Sequence, residues 1–184
     1  METGTSLLRR LAAALVLLAA LSSGAAQAAL SPRQLYQALL EPPPSSSLPP
    51  ALRGSTTRST PLSTGSRSHH AVGAVEIGNG TALVGFLVFP THALAVADLK
   101  AFPPNRGPNK IVTTRPAGLP RPAYVLRASG NGYSVAYVVF VNDNLLVNTW
   151  TYGRKGTEKQ LIAIVEGDAR WAKSYSLRIM RNGK

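Results

Sequence analysis

Apolar positions recur along this chain with two periods, and the switches between them mark the elements. Residues 72–77 and 83–89 are short apolar runs joined through Gly78-Asn79-Gly80, a strong hairpin signal. Pro90 stops the second run. Thr91 is placed to cap a helix over residues 92–101, with Leu94, Ala95, Leu99 and Phe102 on its buried side. A long connection follows over residues 103–122, in which 111–114 is a candidate short edge strand. Three more strands are expected at residues 123–128, 133–141 and 145–152. The middle one (YSVAYVVFV) is apolar on both faces and belongs at the centre of a sheet. The last alternates: Leu145, Val147, Thr149 and Thr151 face one way, and Leu146, Asn148, Trp150 and Tyr152 the other. Asn142-Asp143-Asn144 lies between these two strands. Calcium wants six to eight oxygens and this segment has one carboxylate, whereas Asn and Asp suit the positive φ of a tight hairpin, so a turn is expected. A final helix is expected over residues 157–174, opened by a capping box of Thr157 and Gln160. Residues 175–180 either prolong it or form a last short strand.

Upstream the pattern changes. Residues 31–40 (SPRQLYQALL) suit a short amphipathic helix, with Ser31 as N-cap, Pro32 at the first helical position, and Leu35 and Leu39 one turn apart. Residues 42–69 are rich in Pro, Ser, Thr and Gly and read as a flexible linker. The expected organisation is a signal peptide over 1–28, the short helix over 29–41, the linker over 42–69 and one domain over 70–184. Its order, β-β-α-β-β-β-α, specifies an α+β fold: an antiparallel sheet of about five strands with two helices packed on one face, preceded by a flexible arm.

The signal peptide rests on three features. Arg9 and Arg10 precede the apolar run LAAALVLLAAL, and Ala26-Gln27-Ala28 fits a cleavage site. The run is short of the roughly 20 apolar residues of a spanning helix, so an exported chain starting at Ala29, with no transmembrane helix after cleavage, is expected. The chain contains no cysteine. Disulfide staples, cysteine-held metals, thiol nucleophiles and a cysteine lipid anchor are therefore excluded.

The chain holds 20 Lys+Arg against 8 Asp+Glu; cleavage after Ala28 removes Arg9, Arg10 and Glu2, leaving 18 against 7, or +11. Outside a cell such a charge points to an anionic polymer, lipid head groups or an acidic protein as partner. Nucleic acid is disfavoured, because no recognition helix or stacking motif stands out. Arg106, Lys110, Arg115, Arg121 and Arg127 cluster in the long connection and its exit strand and are the candidate ligand-binding residues. The competing reading is a set of dispersed, solvated charges. Trp150 and Tyr152 are expected chiefly in the core; a groove on the basic side is their alternative.

Asp168 is the candidate buried acid. It falls about 20° from Leu161 on a helical wheel, inside the apolar stripe of Leu161, Val165, Ala172 and Tyr175. A carboxylate there needs a partner or a raised pKa. It is either a proton donor or ligand anchor, or half of a structural pair with an arginine or tyrosine. His69, His70 and His92 do not have chelating spacing, so neither a metal site nor a cofactor is expected. Catalytic residues are not identifiable: G-x-S-x-G is absent, and Gly130-Asn131-Gly132 precedes a strand instead of a helix. Asn79-Gly80-Thr81 is a formal glycosylation sequon at a hairpin tip.

The segments GYSVAYVVFV (132–141) and NLLVNTWTYG (144–153), with Gln160-Leu161-Ile162-Ala163 on the following helix, resemble exported actinobacterial sensor and lipoprotein domains of the Mog1/photosystem extrinsic-protein-like fold. The resemblance covers about 45 residues and implies a non-catalytic ligand or partner binder. That family often carries cysteines, and this chain has none. The expected function is thus an exported, non-enzymatic binding or sensor-like envelope protein. The alternatives are an envelope hydrolase using Asp168, or an assembly protein pairing through an edge strand.

Overall fold

The computed structural model describes residues 30–60, 70–101, 110–130 and 132–182. The signal segment over 1–28 and Arg106 lie outside the described residues. Seven antiparallel strands form one sheet: β1 (Thr56–Thr60), β2 (Gly73–Gly78), β3 (Ala82–Val88), β4 (Lys110–Thr113), β5 (Ala123–Ser129), β6 (Tyr133–Asn142) and β7 (Leu145–Arg154). Their order across the sheet is β1-β2-β3-β7-β6-β5-β4. Among the described residues three α-helices accompany it: α1 (Pro32–Leu40), α2 (His92–Ala101) and α3 (Glu158–Asn182). The α+β class and the antiparallel sheet are as expected; the number of strands, the number of helices and the placement of the helices differ.

β6 and β7 sit at the centre and pair along their full length, from Tyr133 with Arg154 to Asn142 with Leu145. The alternation of their side chains builds two cores. Val138, Phe140, Leu145 and Val147 pack with Val165, Ala169, Ala172 and Ile179 of α3. On the opposite face Val139, Val141 and Leu146 pack with Ala95 and Leu99 of α2. The two helices therefore lie on opposite faces, not together on one. The reason is in β6: a strand apolar on both sides needs cover on both sides.

Asn142, Asp143 and Asn144 form a turn with internal anchors. Asp143 takes a φ of 56°, and the tip is tied down by bonds from three sides. Asn144 Nδ2 donates to the Phe89 carbonyl at 2.9 Å, and the Phe89 N–H donates to the Asn144 carbonyl at 2.9 Å. Asn142 Nδ2 donates to Ser176 Oγ on α3 at 2.8 Å. His92 Nδ1 lies 2.7 Å from the Asp143 carbonyl. This one tip thus fixes the start of α2 and the far end of α3. Thr91 caps α2 as expected, its Oγ1 accepting from the Leu94 N–H.

The N-terminal stretch is not a flexible arm. Ser31 and Gln34 form a capping box on α1. Leu35 and Leu39 are buried in the main core, as are Leu48 and Leu52 from two short 3-10 turns. Tyr36 lies so close over Gly73 that any side chain at 73 would run into its ring. Asn79 at the β2–β3 tip donates to the carbonyls of Ala51 and Arg53 and accepts from the Thr81 and Ala82 N–H groups. Its amide nitrogen is thereby engaged in packing the chain, not offered for a sugar. Thr56–Thr60 then pairs with β2. Residues 42–60 were expected to be linker because they are poor in apolar side chains. Two leucines placed on a preformed core, together with the backbone bonds of an edge strand, suffice to order them. The remainder of the expected linker, 61–69, lies outside the described residues.

The last helix also differs. It runs to Asn182, through the stretch 175–180 that could have been a strand. The Thr157–Gln160 capping box is replaced by other bonds: Thr157 Oγ1 donates to the Arg154 carbonyl at 2.7 Å. The acceptor at this helix start is Glu158, whose Oε1 receives Ser134 Oγ at 2.7 Å and the Gly156 N–H at 3.3 Å. Those donors, Ser134 first, hold the Glu158 carboxyl down at about 2. A negative charge at a helix N-terminus also suits the helix dipole.

Leu39→Ala and Leu52→Ala are each expected to lower the unfolding free energy by about 2–5 kcal/mol, because both leave a cavity in the shared core. Urea midpoints measure this; an unchanged midpoint would mean that the N-terminal stretch is only loosely attached.

Candidate functional site

The two helices do not cover the sheet equally. α3 has 25 residues and spans its face. α2 has 10, as has β6. A ten-residue helix is about 15 Å long, while a ten-residue strand is about 33 Å. Because α2 is anchored at the Asp143 tip, it covers the Val139–Val141 end of β6. Among the described residues, no helix covers the other end of the same face.

Alternation places Tyr133, Val135 and Tyr137 of β6 and Trp150 and Tyr152 of β7 on that end. They line a trough of about 420 Å³. Register sets the arrangement: Tyr137 stands opposite Trp150, Val135 opposite Tyr152, and Tyr133 opposite Arg154. Directly opposed side chains on one face have Cβ atoms about 5 Å apart. The Trp150 and Tyr152 rings lie 6.1 Å apart and 27° from parallel. Tyr133 folds over Gly130, where a side chain would collide with its ring. Tyr133 and Tyr152 are about half exposed, at 49% and 45%. Burial, and Tyr133 beside it, push the Tyr137 phenol up. Trp150 and Tyr152 are therefore trough residues and not core residues, and the trough is not on the basic side.

The candidate cations lie elsewhere. Lys110 and Arg127 are exposed register partners on the β4–β5 edge. Arg127 also stands opposite Ala136, which faces the α3 core, so its side chain leaves the sheet on the face opposite the trough. Arg115 and Arg121 are exposed in the loop that follows β4. That loop rests on α3: Lys173 Nζ donates to the Gly118 carbonyl at 2.8 Å, and Leu119 packs against the main core. The structure thus brings Lys110 and Arg127 together and sets Arg115 and Arg121 on the same edge of the molecule.

Asp168 is 2% exposed. Its Oδ2 is buried and has no hydrogen-bond partner. Burial pushes its carboxyl up to about 6. It belongs to the α3 layer, on the far side of the sheet from the trough. Among the described residues no group of His, Asp or Glu could hold a metal ion, and no helix is long and apolar enough to cross a membrane.

Of the trough residues, only Trp150 and Tyr152 figure in the sequence reading, as the alternative of a groove on the basic side. A signal for the trough exists: aromatic residues an even number of positions apart on two consecutive strands, 133 and 137 with 150 and 152, all on one face once the turn is set at Asp143-Asn144. What the sequence could not show is that α2 would stop short of them.

No family model matches this chain, and no curated protein matches its sequence. Among solved structures, the extracellular domain of PknH from Mycobacterium tuberculosis is similar, with a TM-score of 0.40 and 14% sequence identity over 80% of this chain and 99% of that chain. That neighbour is of the kind named by the sequence resemblance, at a similarity from which no residue is carried across.

The raised carboxyl of Asp168 has a testable consequence. The folded state keeps its proton up to about pH 6, whereas the unfolded chain releases it near pH 4. The stability it contributes is therefore complete below about pH 4 and is lost as pH rises through 6. Discounted for solvent screening, the effect is roughly 2 kcal/mol. Asp168→Asn is expected to gain on the parent by about that amount between pH 4 and pH 7, read from urea midpoints. A difference that does not change with pH would show Asp168 ionised and paired.

Proposed function

We propose that this chain is an exported binding or sensor-like module whose ligand occupies the aromatic trough. The observation that carries the reading is the half-face of β6 and β7 that no described helix covers. Three tyrosines and a tryptophan-lined wall are held at the sheet centre, where a soluble domain would otherwise bury them. Ligand sites are typically concave, apolar and about 300–1,000 Å³, a range that includes this trough. The rigid strands beneath are a better platform than a loop would be.

In this reading the basic edge acts at a distance. Lys110, Arg115, Arg121 and Arg127 add to the strongly positive field of a chain with net charge +12, which draws an anionic partner and raises its association rate. The envelope, with its anionic polymers and lipid head groups, offers such partners. The hydrolase alternative has less support, because Asp168 is closed in beneath α3 and away from the trough.

The test uses the two tryptophans separately. Trp171→Phe leaves Trp150 as the only tryptophan. Its emission is followed during titration with anionic lipid vesicles, teichoic-type polymers and neutral glycans over a salt series. A saturable change with an anionic member, weakening with salt, is expected. Combined replacement of Lys110, Arg115, Arg121 and Arg127 by glutamine is expected to weaken that binding several-fold and flatten its salt dependence. If no member of the panel alters the Trp150 emission, the trough is not the binding surface for such partners.

A further inference from the structure

A charged residue stands on the trough's face of the sheet, and this narrows what the trough can hold. Arg154 is the last residue of β7 and the register partner of Tyr133, which forms one wall. Its direction follows from its neighbour. A side chain at Gly153 would meet Leu161 and Thr157, on the α3 side. Successive strand residues alternate, so Arg154 projects from the opposite face, in line with Trp150 and Tyr152. It is exposed. None of the five lining residues is acidic. The trough is thus aromatic, and Arg154 stands on its face of the sheet, in register with the Tyr133 wall.

We infer that the trough takes a small anionic amphiphile: a flat or chain-like apolar body against Tyr137, Trp150 and Tyr152, with a single carboxylate, sulfonate or phosphate group meeting Arg154. This inference rests on the trough being the binding surface and names the chemistry of its ligand. A guanidinium presents paired donors to such oxyanions in a planar fork. The apolar body accounts for the aromatic walls, which offer little but contact area and phenol edges. The dissolved molecule is favoured over a membrane surface because the site is a concavity of about 420 Å³, of small-molecule size. A bilayer surface would instead call for a convex, protruding apolar feature. A neutral sugar chain would leave Arg154 without a charge to meet, and the lining offers it only phenol hydroxyls and the Trp150 indole N–H.

The test compares two fluorescent probes on the full mature chain. Anilinonaphthalene sulfonate has a fused-ring body and one sulfonate; N-phenylnaphthylamine has the same body without charge. The sulfonate is expected to bind saturably and more tightly than the uncharged probe. Arg154→Gln should weaken the sulfonate about fivefold and leave the uncharged probe unchanged. Tyr152→Ser, at an exposed position that does not threaten folding, should weaken both, while Arg170→Gln on the far side of α3 should affect neither. Equal binding of the two probes, both sensitive to Tyr152→Ser and indifferent to Arg154→Gln, would overturn the acid-group assignment and leave the trough as binding surface. Failure of both probes, or binding indifferent to Tyr152→Ser, would overturn the inference and the trough reading together. Capture of the chain by anionic vesicles without binding of either dissolved probe would overturn the inference in favour of a membrane surface.

Discussion

The structure depends on the pairing of β6 with β7. Ten residues of each strand are in continuous register around a two-residue turn, and both faces of the pair are apolar where they are covered. A strand that is apolar on both sides cannot lie at a water-facing surface, so it demands two layers of cover. α3 supplies one and α2 the other. The polar tip at Asn142, Asp143 and Asn144 meets both layers: it bonds to Ser176 on α3, to Phe89 ahead of α2, and to His92 at the start of α2. One turn therefore sets the ends of both covering helices.

The trough follows from that constraint. A helix pinned at the tip and only ten residues long cannot reach the far end of a strand that rises more than twice as fast per residue. The exposed remainder carries tyrosines and a tryptophan, side chains that tolerate partial solvation because each pairs an apolar body with a polar edge. The opposite face is covered differently. There α3 is long enough, and the N-terminal stretch completes the cover: α1 packs beside it, and Tyr175, stacked on Trp171 at 5.1 Å, donates its hydroxyl to the Glu41 carbonyl. Asp168 is enclosed in this fully covered layer, so burial alone raises its pKa.

The functional reading depends on a difference between the two faces. The α3 face is closed and contains the one conspicuous buried acid. The α2 face, among the described residues, presents aromatic walls, with Arg154 in register beside Tyr133. The cations of the β4 edge lie outside the trough; in the proposed reading they act through the field of the whole molecule. A binding site built this way separates long-range attraction from close-range fit, with different residues responsible for each.

Local rules sufficed for much of this. Alternation and turn chemistry alone placed the β2–β3 hairpin, the β6–β7 hairpin, the Thr91 cap and the Ser31 helix, because each depends on residues within a few positions of one another. They also placed Asp168 inside an apolar stripe, since a helical wheel needs no partner to be drawn. Other features depended on residues far apart in the chain. Thr56–Thr60 is a strand only because β2 offers it an edge. Leu48 and Leu52 are core residues only because α3 and the sheet already form a wall for them. Glu158 takes the acceptor role expected of Gln160 at the start of α3, and strand pairing brings Ser134 to it as a donor. The trough was decided last and least locally: periodicity shows which face a tyrosine takes, but only the packed position of α2 determines whether that face is covered.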